Sequence, residues 1–390
     1  MRVTRRAFVR GAGAASLAGF GGLAWSARGS EAAAGSLARG LSADALASGV
    51  LRLHSNESPV GPIAGVIDAV NDALRDAGRY PQLMGPGLVE DLARLHGATP
   101  ENIALGCGSG EILQMAVDAF TTPARGLVAG LPTFESPAGR ARRLGRPLVE
   151  VPVDPTSLHL DLAGMAQRAA GAGLVFFCNP NNPTGALHDA RAVKAFIAAV
   201  LAASPEVVVL VDEAYHEYVD DPAYETTVPL ALADPRVVVS RTFSKAYGMA
   251  GIRLGYAVGH ASTIRTLSAW RLGNSVNLLA FAAGRAALAA GEALVRERQR
   301  NHDVREYTAR TFRDLGFTVA PSQANFVLVD IRRDARGFQE ACRERGVMVG
   351  RPFPPLDTWT RVSIGTMDEM RRAAPIFADV LRTPATAVVG

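Results

Sequence analysis

The stretch VVVSRTFSKAYGMAGIRLGY, from Val237 to Tyr256, places one lysine between two apolar runs. Lys245 follows a Thr-Phe-Ser turn after the first run, and Arg253 comes eight residues later, within the second. A lysine held at the end of a buried strand has a lowered pKa, and its uncharged amine can form a Schiff base with an aldehyde. The stretch therefore predicts a reactive amine at the edge of a sheet, with a permanent cation nearby.

Similar apolar runs recur from about residue 100, and helical patterns such as Glu111–Phe120 and Ala190–Ala203 separate them. The runs are rich in Val and Leu, and most lack the period of two that marks a half-exposed strand. They are Ile103–Leu105, Leu127–Ala129, Leu148–Val153, Leu174–Cys178, Val207–Val211, Val237–Val239 and Ile252–Val258. The alternation predicts an α/β fold, with a mostly parallel sheet that is flanked by helices on both faces.

Composition divides the 390 residues into four predicted parts. Residues 1–34 form a signal and linker, residues 35–60 an N-terminal arm, and residues 61–275 the large α/β domain. Residues 276–390 form a smaller α+β domain, because a long helical stretch there precedes two weaker strands at Ala324–Asp330 and Thr360–Ile364. A chain of this length suits one large domain and one smaller domain.

The first residues have the composition of an export signal. Thr4–Arg10 reads TRRAFVR, and a Gly- and Ala-rich apolar stretch follows from about Gly11 to Trp25. The motif resembles the twin-arginine signal, which implies export of a folded protein by the twin-arginine machinery to the periplasm or beyond. Residues 1–27 hold four arginines and no acid, so the remainder of a chain with net charge +4 is balanced. That balance argues against a nucleic-acid partner.

Polar residues follow four of the predicted strands, and open α/β sheets bind their ligands at such carboxyl ends. The four segments are GCGSGE from Gly106, NPNNPTG from Asn179, DEAYHEY from Asp212 and SRTFSK from Ser240. The histidines, including His54 and His216, lack the spacing of metal ligands, so no metal is predicted.

The residue types in these segments outline one cofactor. Backbone N–H groups at a helix start, hydroxyls and an arginine suit a phosphate, and such groups are found at Gly108–Gly110, Thr242, Ser244 and Arg253. Asp212 would be a costly buried carboxylate unless a cation, such as a protonated pyridine, pairs with it. Tyr215 and Asn182 can hydrogen-bond a phenolate oxygen. With the Schiff-base lysine, these groups predict pyridoxal 5'-phosphate.

From about Leu51 to about Met367 the chain resembles the fold-type-I aminotransferases, and among them the histidinol-phosphate aminotransferase family. NPNNPTG and an SK pair followed by arginine are typical of the superfamily, whereas HSNESPVGP and GRYP narrow the resemblance to the family. The other matching stretches are GCGSGEIL, PTFES, VDEAYHEY, QANFVLVD and TRVSIGT.

The resemblance implies a role for each matching residue. Those implied for catalysis are Lys245, Asp212 and Tyr215. Those implied for cofactor binding are Ser109, Gly110, Phe134, Asn182, Asp212, Tyr215, Thr242, Ser244, Lys245, Arg253 and Tyr80. Those implied for substrate binding are Arg361, Arg351 and Asn325, and Arg351 lies one residue later than the family's usual arginine. Tyr80 would reach the phosphate of a neighbouring subunit, which implies a homodimer with shared sites.

Three functions fit these residues. The first is an exported transaminase that moves an amino group between an amino acid, or a related amine with an anionic group, and a 2-oxo acid. The second is a decarboxylase or an oxygen-using amino-acid oxidase with the same cofactor and the same residues. The third is an exported solute-binding protein with two α/β lobes, against which the setting of Lys245 argues. Because histidine biosynthesis is cytoplasmic, the export signal favours a substrate from another pathway.

Overall fold

The computed structural model describes residues 49–81 and 85–382, so the predicted export signal and most of the predicted arm lie outside the described residues. From Leu51 onward these residues belong to one compact unit. Its strands are β1 Leu51–Leu53, β2 Ile103–Cys107, β3 Leu127–Leu131, β4 Leu148–Pro152, β5 Leu174–Cys178, β6 Val208–Asp212, β7 Val237–Thr242, β8 Leu254–Gly259, β9 Thr318–Val319, β10 Phe326–Asp330, β11 Val347–Val349 and β12 Trp359–Ser363.

The α-helices alternate with the strands in the first part of the unit and dominate the second. They are α1 Val66–Ala73, α2 Gly85–Leu95, α3 Ser109–Phe120, α4 Ser136–Arg143, α5 Leu162–Gln167, α6 Ala190–Ala203, α7 Val228–Ala233, α8 Ala261–Ser268, α9 Leu278–Ala289, α10 Gly291–Asp314, α11 Ala335–Glu344 and α12 Met367–Arg382. Short 3-10 turns lie at Leu74–Asp76, Pro100–Asn102 and His216–Tyr218. Aspartate or asparagine side chains cap α5, α6, α9 and α11, which explains where these helices begin.

A seven-stranded sheet in the order β2-β8-β7-β6-β5-β3-β4 forms the centre of the unit. Strands β3 to β7 run parallel to one another, and β8 is antiparallel to both of its neighbours. Every residue of β5, β6, β7 and β8 is buried, as their continuous apolar runs require. The α/β prediction, a mostly parallel sheet flanked by helices, is confirmed.

Smaller sheets follow in the second part of the unit. Strands β9, β10 and β12 form an antiparallel sheet, and β1 pairs in parallel with β11. A separate apolar cluster, which includes Phe312, Phe338 and Phe377, lies beside them. Helix α9 instead buries Phe281 and other apolar residues in the cluster of the central sheet. Within the described residues no single helix is long and apolar enough to span a membrane, although α9 and α10, bent by 81°, meet that test together.

Candidate active site

The polar segments that follow the parallel strands meet at the carboxyl edge of the central sheet. Asp212 is the last residue of β6, and Cys178 opposite it in the register is the last residue of β5. Asn182 lies four residues beyond the end of β5, and Lys245 lies three residues beyond the end of β7. Because neighbouring parallel strands end at the same edge, the fold itself brings these residues together.

Lys245 is the partly buried centre of this edge. Its Nζ donates hydrogen bonds to the backbone oxygens of Ser55 at 3.3 Å and Asn56 at 3.1 Å, and it lies 5.9 Å from the ring centroid of Tyr215. Desolvation, together with the positive charge of Arg361, lowers the pKa of the amine to about 8. A larger share of Lys245 is therefore uncharged near neutral pH than for an ordinary lysine, as a nucleophile or base requires.

Asp212 is buried beside Lys245, and its Oδ1 has no hydrogen-bond partner among the described residues. Desolvation is the main cause that raises the pKa of the carboxyl group to about 7; the charge of Glu213 contributes to this rise, and the charge of Lys245 opposes it. A buried carboxylate with a free oxygen is costly unless a cation or a hydrogen-bond donor meets it. This side chain is therefore suited to a cationic group of a ligand.

Two hydrogen-bond donors are fixed by neighbours that occupy their acceptor atoms. The Oη of Tyr215 accepts from Nδ2 of Asn56 at 3.0 Å, so its own proton is available to donate. The Oδ1 of Asn182 accepts from Nη1 of Arg361 at 2.6 Å, so its amide nitrogen is available to donate. Burial raises the pKa of Tyr215 well above its usual value, which keeps the phenol protonated. Both groups can therefore bind an oxyanion.

Arg361 is 8% exposed and lies in β12, next to the strand that carries Phe326. Its Nη2 donates to the backbone oxygen of His54 at 2.7 Å, while its Nε has no partner among the described residues. Desolvation lowers the pKa of this guanidinium to about 10, so it remains charged at neutral pH. A buried, charged and incompletely satisfied guanidinium is suited to a ligand carboxylate.

A second anion site lies at the start of α3. Ser109 and Gly110 open this helix, whose first backbone N–H groups have no partner within the helix. Nη1 of Arg253 lies 3.4 Å from Oγ of Ser244, and Oγ1 of Thr242 accepts from the backbone N–H of Ser244 at 3.1 Å. Helix N–H groups, hydroxyls and a guanidinium together form a cradle for a phosphate.

Gly108 makes this cradle possible. Its φ of 73° lies in the left-handed region, and a Cβ added there would lie 2.3 Å from Nη2 of Arg253. We expect Gly108→Ala to displace the guanidinium and to weaken cofactor binding about tenfold or more, because a charge-assisted contact to phosphate is lost. Titration of the cofactor-free variant, followed by absorbance, measures the change. Gly291→Ala is the matched control, since Gly291 opens helix α10 outside the cradle and a Cβ there meets nothing within 4 Å. Equal affinities of the two variants would contradict the assignment.

The remaining predicted site residues differ in whether they contact the residues around Lys245. Nδ2 of Asn325 donates to the backbone oxygen of Asn56 at 3.0 Å, which ties it to the residue that holds Lys245. Phe134 is partly buried beyond the end of β3 and packs on the apolar cluster of α3. Arg351 forms an ion pair with Glu135. Tyr80 stands apart, with 75% of its surface exposed.

Asn56 is the site residue that the sequence reasoning missed. It is 1% exposed, its Oδ1 accepts from Oγ of Ser363 at 2.8 Å, and its amide contacts Tyr215. Its backbone oxygen accepts from Lys245 and Asn325, and its φ of 55° is one that asparagine tolerates better than most residues. The sequence feature that could have identified Asn56 is its position within the matching stretch HSNESPVGP, just before a segment with two prolines.

Comparison with known proteins places this chain in a family. The profile of the aminotransferase class I and II family matches residues 48–377. The chain is 37% identical over 337 residues to the histidinol-phosphate aminotransferase of Moorella thermoacetica, and covers 85% of each protein. It is 36% identical over 321 residues to the aromatic amino acid aminotransferase of Thermobifida fusca, which spans 82% of this chain and 87% of that relative.

A solved structure agrees in fold. The histidinol-phosphate aminotransferase of Sinorhizobium meliloti, solved in complex with pyridoxal-5'-phosphate, superposes with a TM-score of 0.79 at 30% identity. The match covers 85% of this chain and 91% of that one. The family profile spans well over half of the chain, and the fold agrees with that of the solved relative. The chain therefore belongs to the aminotransferase class I and II family.

Proposed function

We propose that this enzyme is exported and then moves an amino group between an amino acid, or a related amine with an anionic group, and a 2-oxo acid. The observation that carries the proposal is the placement of the partly buried Lys245 beside Asp212, Tyr215 and Arg361 at one edge of the sheet. The enzyme is a pyridoxal-phosphate-dependent aminotransferase. Its family membership argues against the solute-binding protein considered from the sequence.

The residues present fit pyridoxal phosphate. The unpartnered Oδ1 of Asp212 suits the pyridinium nitrogen, and the start of α3 with Ser244 and Arg253 suits the phosphate. Gly255 keeps that cradle open, since a Cβ there would lie 2.2 Å from the backbone nitrogen of Ser109. When bound, the cofactor supplies an aldehyde for the amine and an electron-withdrawing ring.

The protein contributes binding, orientation and proton movement. The amine of Lys245 can bind the aldehyde and, once free, can accept a proton at Nζ and return it. Tyr215 and Asn182 would donate to the ring oxygen of the bound cofactor, and the hydrogen bonds from Asn56 and Arg361 hold the two side chains in position. Arg361 holds the anionic end of the substrate. Because it also fixes Asn182, occupancy of the substrate site is coupled to the orientation of a cofactor ligand.

Turnover of a panel of amino acids tests the reaction. With 2-oxo acids as acceptors, we expect each amino donor consumed to yield one equivalent of amino product, with no dependence on oxygen. Release of carbon dioxide or consumption of oxygen in proportion to turnover would instead support the decarboxylase or oxidase considered from the sequence.

We also propose that the enzyme is a homodimer in which Tyr80 contributes to the neighbouring site. The support is its 75% exposure, the exposure of the large apolar side chains of Trp270 and Leu272, and the resemblance described above. Light scattering that gave the mass of one chain at micromolar concentration would contradict this proposal.

Export of the folded, cofactor-loaded enzyme is supported by TRRAFVR at Thr4–Arg10. We expect the variant Arg5→Lys, Arg6→Lys to remain in the cytoplasm and to be yellow and active there, because lysine keeps the charge of arginine but lacks its planar fork. Fractionation of cells followed by an activity assay measures this. Export of the double variant at the level of the unchanged protein would contradict the twin-arginine route.

A further inference from the structure

An ion pair between Arg351 and Glu135 lies near Arg361 and has no part in the mechanism proposed above. Nη2 of Arg351 lies 2.7 Å from Oε1 of Glu135, and the two side chains are 43% and 59% exposed. Glu135 comes directly after Phe134, at the carboxyl end of β3, whereas Arg351 follows β11. The pair therefore joins two segments that are distant in the sequence.

Phe353 links this pair to the buried arginine. Cζ of Arg351 lies 4.4 Å from the centroid of its ring, and Cζ of Arg361 lies 4.7 Å from the same centroid. Both charges of the pair are close enough to Arg361 to act on it electrostatically, Arg351 by repulsion and Glu135 by attraction. Stacking on the ring limits where the guanidinium of Arg351 can lie, so its orientation toward Glu135 is supported from two sides.

We propose that Glu135 makes the site selective for substrates with a single anionic group, by holding Arg351 and by repelling a second anionic charge. This inference rests on the proposed function, because it assigns the class of amino acid and of 2-oxo acid. Arg361, which forms no ion pair among the described residues, provides one positive charge for a carboxylate. The ion pair of Arg351 and Glu135 has no net charge. A side-chain carboxylate or a phosphate monoester would have to displace Glu135 from Arg351 and then lie beside it. Donor and acceptor are therefore an amino acid with an uncharged or cationic side chain and a monocarboxylic 2-oxo acid.

Equilibrium binding to the cofactor-loaded enzyme tests the proposal with unreactive ligands. Succinate and butyrate have chains of the same length and differ by one carboxylate. At low salt we expect Glu135→Gln to increase the affinity for succinate relative to that for butyrate about tenfold. The reason is that the repulsion between Glu135 and the second carboxylate is removed and Arg351 is released from its ion pair. We expect 1 M salt to reduce the effect, since the pair is partly exposed. Glutamate and glutamine form the matching pair for turnover, and their ratio of kcat/KM is expected to shift in the same direction.

Two further variants separate this effect from a general change of charge. The double variant Glu135→Gln, Arg351→Gln is expected to lose the gain, because it replaces a neutral ion pair by two neutral side chains and so offers a second carboxylate no net positive charge. Glu150→Gln removes a carboxylate from a remote ion pair with Arg142 and is expected to leave both ratios unchanged. A succinate-to-butyrate ratio that stays within about twofold in Glu135→Gln, or a gain that survives in the double variant, would overturn the proposal.

The proposed selectivity and the proposed reaction can be contradicted separately. If no amino acid is turned over and the succinate ratio still shifts, the selectivity stands and the proposed reaction is wrong. If transamination occurs and the succinate ratio does not move, the reaction stands and the role of Glu135 is wrong.

Discussion

Lys245→Ala is expected to reduce transamination by at least about 10³-fold, the largest effect of any single substitution in this enzyme. On the proposed mechanism, the substitution removes both the amine that binds the cofactor and the group that moves the substrate proton. No neighbour can take over, because the chain contains only one other lysine, Lys194. Initial rates at saturating cofactor and substrate measure the loss, and circular dichroism verifies that the variant is folded.

Lys194→Ala provides the matched control. Lys194 lies in α6, is 64% exposed and pairs with Glu225, so its loss is expected to change neither the rate nor the colour of the enzyme. If Lys245→Ala kept more than about a tenth of the wild-type rate, the amine of Lys245 would not be the proton-transfer group.

Asp212→Asn is expected to lower turnover by about two orders of magnitude or more while the cofactor remains bound, since phosphate and ring contacts persist. The same change should stabilise the cofactor-free protein. The pKa of Asp212 is raised from 3.8 to about 7 in the folded state, so ionisation opposes folding, and the cost grows from about pH 4 until it is complete above pH 7.

The pH dependence gives this prediction a second readout. The stability gained by Asp212→Asn is expected to be larger at pH 8 than at pH 5 by about 3 kcal/mol, because about two pH units separate pH 5 from the folded pKa and each corresponds to about 1.4 kcal/mol. Denaturant unfolding of the cofactor-free proteins at the two pH values measures the difference. A variant that keeps its rate within about threefold of the wild type would remove Asp212 from the mechanism.

The sequence was sufficient to predict the central sheet, because fully buried strands leave a local signal. Runs such as Leu174–Cys178 and Val237–Val239 are apolar on both faces and coincide with β5 and the first half of β7. The direction of β8 was not predictable in the same way. A fully buried strand has the same apolar run whether its neighbours are parallel or antiparallel, so its pattern does not record direction.

Site residues could be predicted where they directly follow a predicted strand. They were harder to predict where their role depends on contacts with distant segments of the chain. Asp212 and Lys245 each stand just beyond an apolar run, so their positions at the sheet edge follow from the fold rule. Asn56 acts through Tyr215 and Ser363, which lie 159 and 307 residues further along the chain. The pairing of Glu135 with Arg351 likewise depends on tertiary contacts that no local pattern records.

Reduction of the enzyme with borohydride, followed by peptide mapping, tests the central claim that Lys245 binds the cofactor. The measurement has only two lysines to distinguish, because Lys194 and Lys245 are the two lysines of the chain, and they lie in different surroundings. We expect the reduced cofactor on the peptide that contains Lys245 and an unmodified peptide around Lys194. Label on Lys194, or a colourless protein that takes up no label after incubation with pyridoxal phosphate, would contradict the account.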